Sequence, residues 1–437
     1  MSDPEPRHRV LHAVHVFVAS PRFASALSLT IVATAAGSFL LHRMIGWAGL
    51  IAILSSLVVI AAVALILDRR AIEWHGLLPI SLLAYIAWIV SSIFWSEYQW
   101  ATFGGIAYLL AFTVLGLYLA LARDTIQIVR AFGDVLRVAL AASLVVEVVF
   151  GLLLDTSFDI IDVQGDLASG GPIQGVFGSR NLLGMVALIA LITFATELRT
   201  RSVRREVGIW SLIGAAVVIV VARSPVAYGT LVILVIAAAA LYGLRRARPE
   251  ARTALQFVVL VLAAGLAGLA WLARGRLVDA FAASAELRYR LGVWREIVPF
   301  LQINPLEGWG WLGKWRRNIA PYFAIGPVDG QRSHSAASAY VDVWLQAGIV
   351  GLALLLGLVG LAFVRSWLLA GRRRSVIYSW PALVLVVLLT VGLAESYLLV
   401  EFGWLTFVVC AVKASQNLSW RKALTPLPAA PFSSAPR

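Results

Sequence analysis

The chain is short of most of what soluble chemistry is built from. Its one cysteine, Cys410, lies in an apolar run, which excludes a disulfide within the chain and any cysteine-based metal cluster. Charged residues are only 14% of the 437, too few to clothe an ordinary soluble domain. There is no HExxH pair, no grouped Asp/Glu/His ligand set and no Walker loop, so neither a metal nor a nucleotide cofactor is expected. Gly308-Trp-Gly310-Trp-Leu-Gly313 matches GxGxxG by letter. It lacks the preceding strand and following helix of a dinucleotide fold, and bulky tryptophans fill its turn. No fixed-period repeat and no soluble catalytic domain can be read. The first apolar run, from about Ala24 to Leu41, is too long for a signal segment and has no clear cleavage site, so it reads as a retained helix.

What the chain does have is hydrophobic length. Hydrophobic residues make up 60% of it, in runs of spanning length near 24–41, 45–67, 76–95, 100–121, 131–154, 177–197, 206–222, 226–243, 254–272, 339–364, 376–395 and 397–413. The expected fold class is therefore all-α, a polytopic membrane protein of about 12 transmembrane helices. Residues 1–23 form a cytoplasmic N-terminus, 24–272 carry helices one to nine and 273–338 form a large, partly helical extracytoplasmic loop. Residues 339–413 carry the last three helices, and 414–437 form a disordered cytoplasmic tail rich in Pro, Ala and Ser.

Charge parity orients this arrangement. With the N-terminus inside, the basic loops Asp68-Arg69-Arg70, Arg123 with Arg130, Arg199 to Arg205, Arg245 to Arg248 and Arg372-Arg373-Arg374 all fall on the cytoplasmic side. Retention there and contact with anionic lipid account for much of the formal charge of +13 without invoking nucleic acid. The 273–338 loop breaks the pattern. Arg274, Arg276, Arg288, Arg290, Arg295, Lys314, Arg316, Arg317 and Arg332 face only Asp279, Glu286, Glu296, Glu307 and Asp329. An anionic ligand such as a diphosphate is the simplest reason for such a cluster.

Candidate site residues follow from that reading. Arg288-Tyr-Arg290, with Trp294 and Arg295, lies on a helical stretch that Pro299 ends or kinks, putting 290, 294 and 298 on one face. It is either a guanidinium fork for phosphate oxygens or a surface helix on lipid headgroups. Arg180 and Arg223 stand at the outer ends of the sixth and seventh helices, where snorkelling alone would explain each. Glu395, on the same face, is an end residue or a counter-ion that orients an arginine. Trp294, Trp309, Trp311 and Trp315 are interfacial anchors or a platform for a sugar or lipid. His334 is the one histidine of the long loop, either merely solvated or a base beside the cations.

Together these features resemble the O-antigen ligase and O-antigen polymerase superfamily, particularly its exopolysaccharide-polymerase-like members, over about residues 170–412. Arg290-Leu-Gly-Val-Trp294 followed by Asn304-Pro305-Leu-Glu-Gly308-Trp-Gly310 resembles the family's Arg, aromatic, helix, Pro-x-x-Gly-x-Gly order. Tyr340 to Gly351 resembles the segment after the family's histidine, Gly175 to Asn181 the family's entry to a helix, and Glu395-Ser396 its late turn. The resemblance implies a multi-pass glycosyltransferase of the bacterial plasma membrane, and charge parity puts both its termini on the cytoplasmic side. It would use an undecaprenyl-diphosphate-linked glycan as donor and a glycan or glycolipid hydroxyl as acceptor, with inversion and without a metal. On that reading Arg290, Arg180, Arg223 and Arg288 hold the diphosphate, His334 and Glu395 complete the catalytic set, and Trp294, Trp309, Trp311 and Tyr340 touch glycan or lipid. Two departures stand out. The family's histidine aligns with Ala337, three residues after His334, and a second family cation aligns with Pro225, two residues after Arg223. The alternatives are a transporter or flippase for such a lipid, which would line its path with buried mid-helix charges, and a non-catalytic scaffold.

Overall fold

A computed structural model describes residues 20–67, 79–154, 156–157, 163–165, 167–280 and 283–417. His8, His12, His15, His75, the Asp68-Arg69-Arg70 loop, part of the acidic 155–171 segment and the tail from 418 lie outside the described residues.

The described residues form helices and turns, with no strand among them. In chain order the helices are α1 (Pro21–Ala36), α2 (Ser38–Leu67), α3 (Ile80–Ser91), α4 (Gln99–Ala122), α5 (Thr125–Val148), α6 (Arg180–Thr200), α7 (Arg205–Ala222), α8 (Pro225–Arg246), α9 (Arg252–Leu272), α10 (Arg274–Ala280), α11 (Ser284–Ile303), α12 (Ala339–Arg372), α13 (Ser379–Gly392) and α14 (Glu401–Asn417). Among the described residues, seven helical stretches are long and apolar enough to cross a membrane, namely α2, α4, α5 with its π-helical end, α6, α7, α8 and α12. The protein is thus an all-helical chain with the character of a polytopic membrane protein.

Local chemistry sets several boundaries. Ser20 and Ser224 each precede a proline and accept a hydrogen bond from a first-turn N–H, Phe23 at 3.3 Å and Ala227 at 3.1 Å. Of the two outcomes expected at Pro299, an end or a kink, the end is excluded: helix α11 runs on to Ile303, because the missing N–H costs only one bond near the end of a packed helix. Residues 414–417, expected in the tail, complete α14.

The centre of the bundle is built on α13, whose residues from Ser379 to Leu388 are all buried, packed with α6, α8, α12 and α14. A short helix that is apolar on every face belongs in such a position. Tryptophans anchor it: Trp380 Nε1 donates to Thr193 at 3.0 Å and Trp404 Nε1 to Thr113 at 2.8 Å. In an apolar surround such N–H groups need partners, and threonine hydroxyls supply them.

Helix α12 breaks at Gly348 (φ 70°), and the break positions the rest of the molecule. The segment Pro305–Gly310 runs beside it and uses the freed backbone groups. Trp309 and Gly310 N–H donate to the carbonyls of Leu345 (3.1 Å) and Gln346 (2.9 Å), and Ile349 N–H donates to Pro305 (2.9 Å). A Cβ on Gly348 would sit 1.9 Å from the Leu306 carbonyl oxygen, so only glycine fits. Gly348→Ala is therefore expected to lift this segment off the helix and cost roughly 3 kcal/mol or more. A thermal melt in detergent, following tryptophan emission, checks it; an unchanged midpoint would contradict the account.

Candidate active site

The segments between α9 and α12 and the turn after α13 meet around one arginine. Arg290 is on the inner face of α11 and is only 9% exposed. Its Nε donates to the Ala394 carbonyl at 2.9 Å, and its Nη2 to Glu286 Oε2 at 2.9 Å and to Glu395 Oε1 at 3.2 Å. Glu286 is one turn earlier on α11, which puts the two side chains on one face. Its other oxygen accepts from Arg180 Nη2 at 2.5 Å, at the start of α6. One carboxylate thus gathers two guanidinium groups.

Glu395 extends the network. Its Oε1 also accepts from Asn181 Nδ2 at 2.6 Å, and Asn181 Oδ1 accepts from Ser224 Oγ at 2.6 Å in the turn between α7 and α8. Burial pushes the Glu395 carboxyl above its usual pKa, while the Arg290 charge and the Asn181 bond oppose that rise. Arg290 Nη1 has no hydrogen bond among the described residues, and Arg180 is half-buried at the edge. The arrangement can bind an anion at a site whose arginines are already oriented.

Of the residues singled out from sequence, Arg180, Arg290 and Glu395 are brought together. Arg223 and Arg288 are not in this network. Arg223 caps α7 in a left-handed conformation, is exposed and lies over Gly170. Arg288 is exposed, because two residues along a helix turn a side chain to the opposite side. His334 makes no contact with the Arg290 network; its Nε2 is 2.5 Å from Arg317 Nη2. Partial burial and the Arg317 charge lower its pKa below the ordinary 6.5.

Ala337, where the resemblance puts a histidine, is closer in connectivity. Buried at φ 49°, it is followed by Ser338, whose Oγ donates to the Gly392 carbonyl at 3.4 Å, and by Ala339, whose N–H donates to the Glu395 carbonyl at 3.2 Å.

The aromatic residues brace the segment from within. Trp294 Nε1 donates to the Ala336 carbonyl at 2.9 Å, Trp309 Nε1 to Phe300 at 3.0 Å and Tyr340 Oη to Leu389 at 3.2 Å. Trp311 is 1% exposed, sunk in the bundle core, and presents no face at the surface.

Two acidic residues were given no site role from sequence. Glu286 was counted only among the opposing charges. Asp342, fully buried in the first turn of α12, accepts from Trp315 Nε1 (2.6 Å), Gln346 Nε2 (3.1 Å), Ser396 Oγ (2.5 Å) and Ala336 N–H (3.2 Å). The signal for Asp342 was available: an acid at the start of an apolar helix needs internal partners. Elsewhere in the bundle, buried charges are each engaged. Glu147 accepts from the N–H groups of Gln174 (2.8 Å) and Gly175 (2.7 Å), and Glu197 pairs with Arg137. No cluster of three or more His, Cys, Asp or Glu is placed to hold a metal ion among the described residues.

Residues 210–356, about a third of the chain, match the model of a family described as O-antigen ligase. The matched stretch runs from α7 into α12 and includes Arg223, Arg290, His334 and Gly348, while Arg180 and Glu395 fall outside it. No curated protein matches the chain.

Proposed function

We propose, from the chain's assignment to the O-antigen ligase/polymerase superfamily, that it transfers a glycan from undecaprenyl diphosphate to an acceptor hydroxyl at the outer face of the bacterial plasma membrane. The protein crosses that membrane about twelve times with both termini inside, and the segment 273–338 lies outside. The observation that carries the reading is the joining of Arg180 to Arg290 through Glu286. A leaving diphosphate develops negative charge as the glycosidic C–O bond breaks. Two guanidinium groups held in place beforehand meet that charge without reorganising.

In this reading Arg290 and Arg180 grip the diphosphate, with Arg223 and Arg288 at the approach. Glu395 holds Arg290 in register. The acceptor oxygen attacks the anomeric carbon from the face opposite the diphosphate, so configuration inverts, and its proton passes to His334. No metal is required, because the arginines supply the positive charge. Among the described residues, Glu147 is bonded to backbone N–H groups, Glu197 is paired with Arg137 and Lys413 is bonded to Gln416, which favours surface transfer over passage of a glycan through the helices.

Two outcomes test the reading. A neutral imidazole is the form that accepts a proton, and the His334 pKa lies below 6.5, so transfer is expected to stay near maximal at pH 7 and to fall only well into acid. His334→Ala removes that acid limb and lowers the rate about 10²- to 10⁴-fold; an unaltered pH profile would remove His334 from the mechanism. Ala337→His places an imidazole beside the Glu395 turn, at a left-handed position that histidine accepts better than alanine. It is expected to raise the transfer rate of the His334→Ala variant, measured as product formed in proteoliposomes. The product anomer reads inversion directly, and unchanged turnover in EDTA reads metal independence.

A further inference from the structure

A groove of about 930 Å³ opens between α2 and α4, on residues the proposed transfer reaction does not use. That volume is within the roughly 300–1,000 Å³ of ligand sites. Its walls are apolar and include Ile51, Val58, Ala107 and Ala111. The only charged residues lining it are Lys314 and Arg316, both on the segment that closes one end. The closure is tight: a Cβ on Gly105 of α4 would sit 2.7 Å from the Leu312 backbone.

The two cations differ. Lys314 Nζ is 2.6 Å from Glu401 Oε1, which also accepts from Tyr108 Oη at 2.8 Å, so its charge is balanced. Arg316 has no carboxylate partner among the described residues; its guanidinium rests over the Trp100 ring at 4.9 Å. A guanidinium over an aromatic ring keeps N–H groups free to donate to a ligand. The groove therefore ends in one unbalanced positive charge beside a long apolar channel.

We propose that this groove is a binding site for a phosphodiester membrane lipid of net charge −1, its phosphate on Arg316 and its chains along α2 and α4. Charge decides the occupant. A phosphodiester monoanion matches one unbalanced cation, whereas a diphosphate would bring further negative charge toward Glu401. A zwitterionic lipid would set its ammonium among the same cations. The site shares no residue with the Arg180–Glu286–Arg290–Glu395 network and does not depend on the transfer reading. It is linked to the neighbouring Asp342 through Trp315, which lines the groove and donates to Asp342, and through Leu312, whose N–H donates to Gln346.

The test is native mass spectrometry of the full chain, delipidated in detergent and then exposed separately to phosphatidylglycerol, phosphatidylethanolamine and undecaprenyl diphosphate. Wild type is expected to retain one phosphatidylglycerol, with phosphatidylethanolamine held at least about fivefold less. Arg316→Gln lowers phosphatidylglycerol retention by about fivefold or more, and Arg316→Lys restores part of it. Ala111→Trp, which fills the channel, abolishes it, whereas Arg290→Gln leaves it unchanged. Equal retention by wild type and Arg316→Gln would overturn the proposal, as would displacement of phosphatidylglycerol by equimolar undecaprenyl diphosphate. Arg316 is half-buried at a surface, so its substitution tests binding even if Ala111→Trp fails to fold.

Discussion

Arg290→Ala is expected to lower glycan transfer by about 10²- to 10³-fold or more. The side chain makes three engagements, with the Ala394 carbonyl and with both Glu286 and Glu395, and retains Nη1 for a ligand. Its removal has two consequences. In the proposed reaction a leaving diphosphate would lose its best-placed cation, and two mostly buried carboxylates lose a shared partner. Breaking a buried pair by removing one member typically costs about 3–5 kcal/mol. Here both carboxylates keep a second partner, Arg180 for Glu286 and Asn181 for Glu395, so the stability loss should fall at or below the low end of that range. Arg290→Lys separates the two effects. An ammonium restores charge but cannot reach a carbonyl and two carboxylates with one planar fork. Stability should largely return while transfer stays at least about tenfold down. Turnover per folded molecule, with folding measured by thermal melt, checks both. Full activity in either variant would remove Arg290 from the site.

Asp342→Ala should cause a large loss of stability. The carboxylate is fully buried and accepts four hydrogen bonds, from the Trp315 indole, the Gln346 amide, the Ser396 hydroxyl and the Ala336 N–H. Alanine leaves those donors without an acceptor in a site that water does not reach. Each unsatisfied donor costs about 1–3 kcal/mol, and relaxation limits the total to about 3–5 kcal/mol. The loss is directional. Trp315 and Ala336 belong to the segment between α11 and α12, and Ser396 to the turn that carries Glu395. The variant should therefore expose 305–338 to protease and lose transfer while the helical bundle persists. Asp342→Asn keeps an acceptor oxygen for Trp315 but turns an amide N–H toward Ser396 or Ala336, and should fall between. Circular dichroism with limited proteolysis reads these outcomes; wild-type protease resistance in Asp342→Ala would refute the role.

The positions of the apolar helices were readable from apolar length alone, since each apolar run overlaps a helix wherever residues are described; α10 and α11 lie outside those runs. The break in α12 was not readable. A glycine within an apolar run looks like helix interior, and Gly348 departs from it only because Pro305–Gly310 supplies partners for the freed backbone. Arg290, Arg180 and Glu395 were each singled out, from an expected common face and from the resemblance, but so were Arg223 and Arg288, which stand apart from the network. The bridge through Glu286 was not legible, because an acid four residues before an arginine reads as an ordinary helix pair. The tryptophans carried the least information. Composition gives their number but not their direction, and Trp294, Trp309 and Trp315 point their indole N–H groups inward as braces. His334 stood out by being alone in its loop, yet the structure gives it to Arg317 and puts Ala337 beside the Glu395 turn.

In the proposed reaction, Arg180 and Arg290, held by Glu286, would neutralise a departing diphosphate at the membrane surface. The most direct measurement is release of undecaprenyl diphosphate from its glycan conjugate by protein reconstituted in proteoliposomes, wild type against Arg290→Ala and Glu286→Gln. The account predicts steady release by wild type, about 10²- to 10³-fold less with Arg290→Ala, and an intermediate loss with Glu286→Gln. Release by Arg290→Ala at the wild-type rate, from protein shown to be folded, would contradict it.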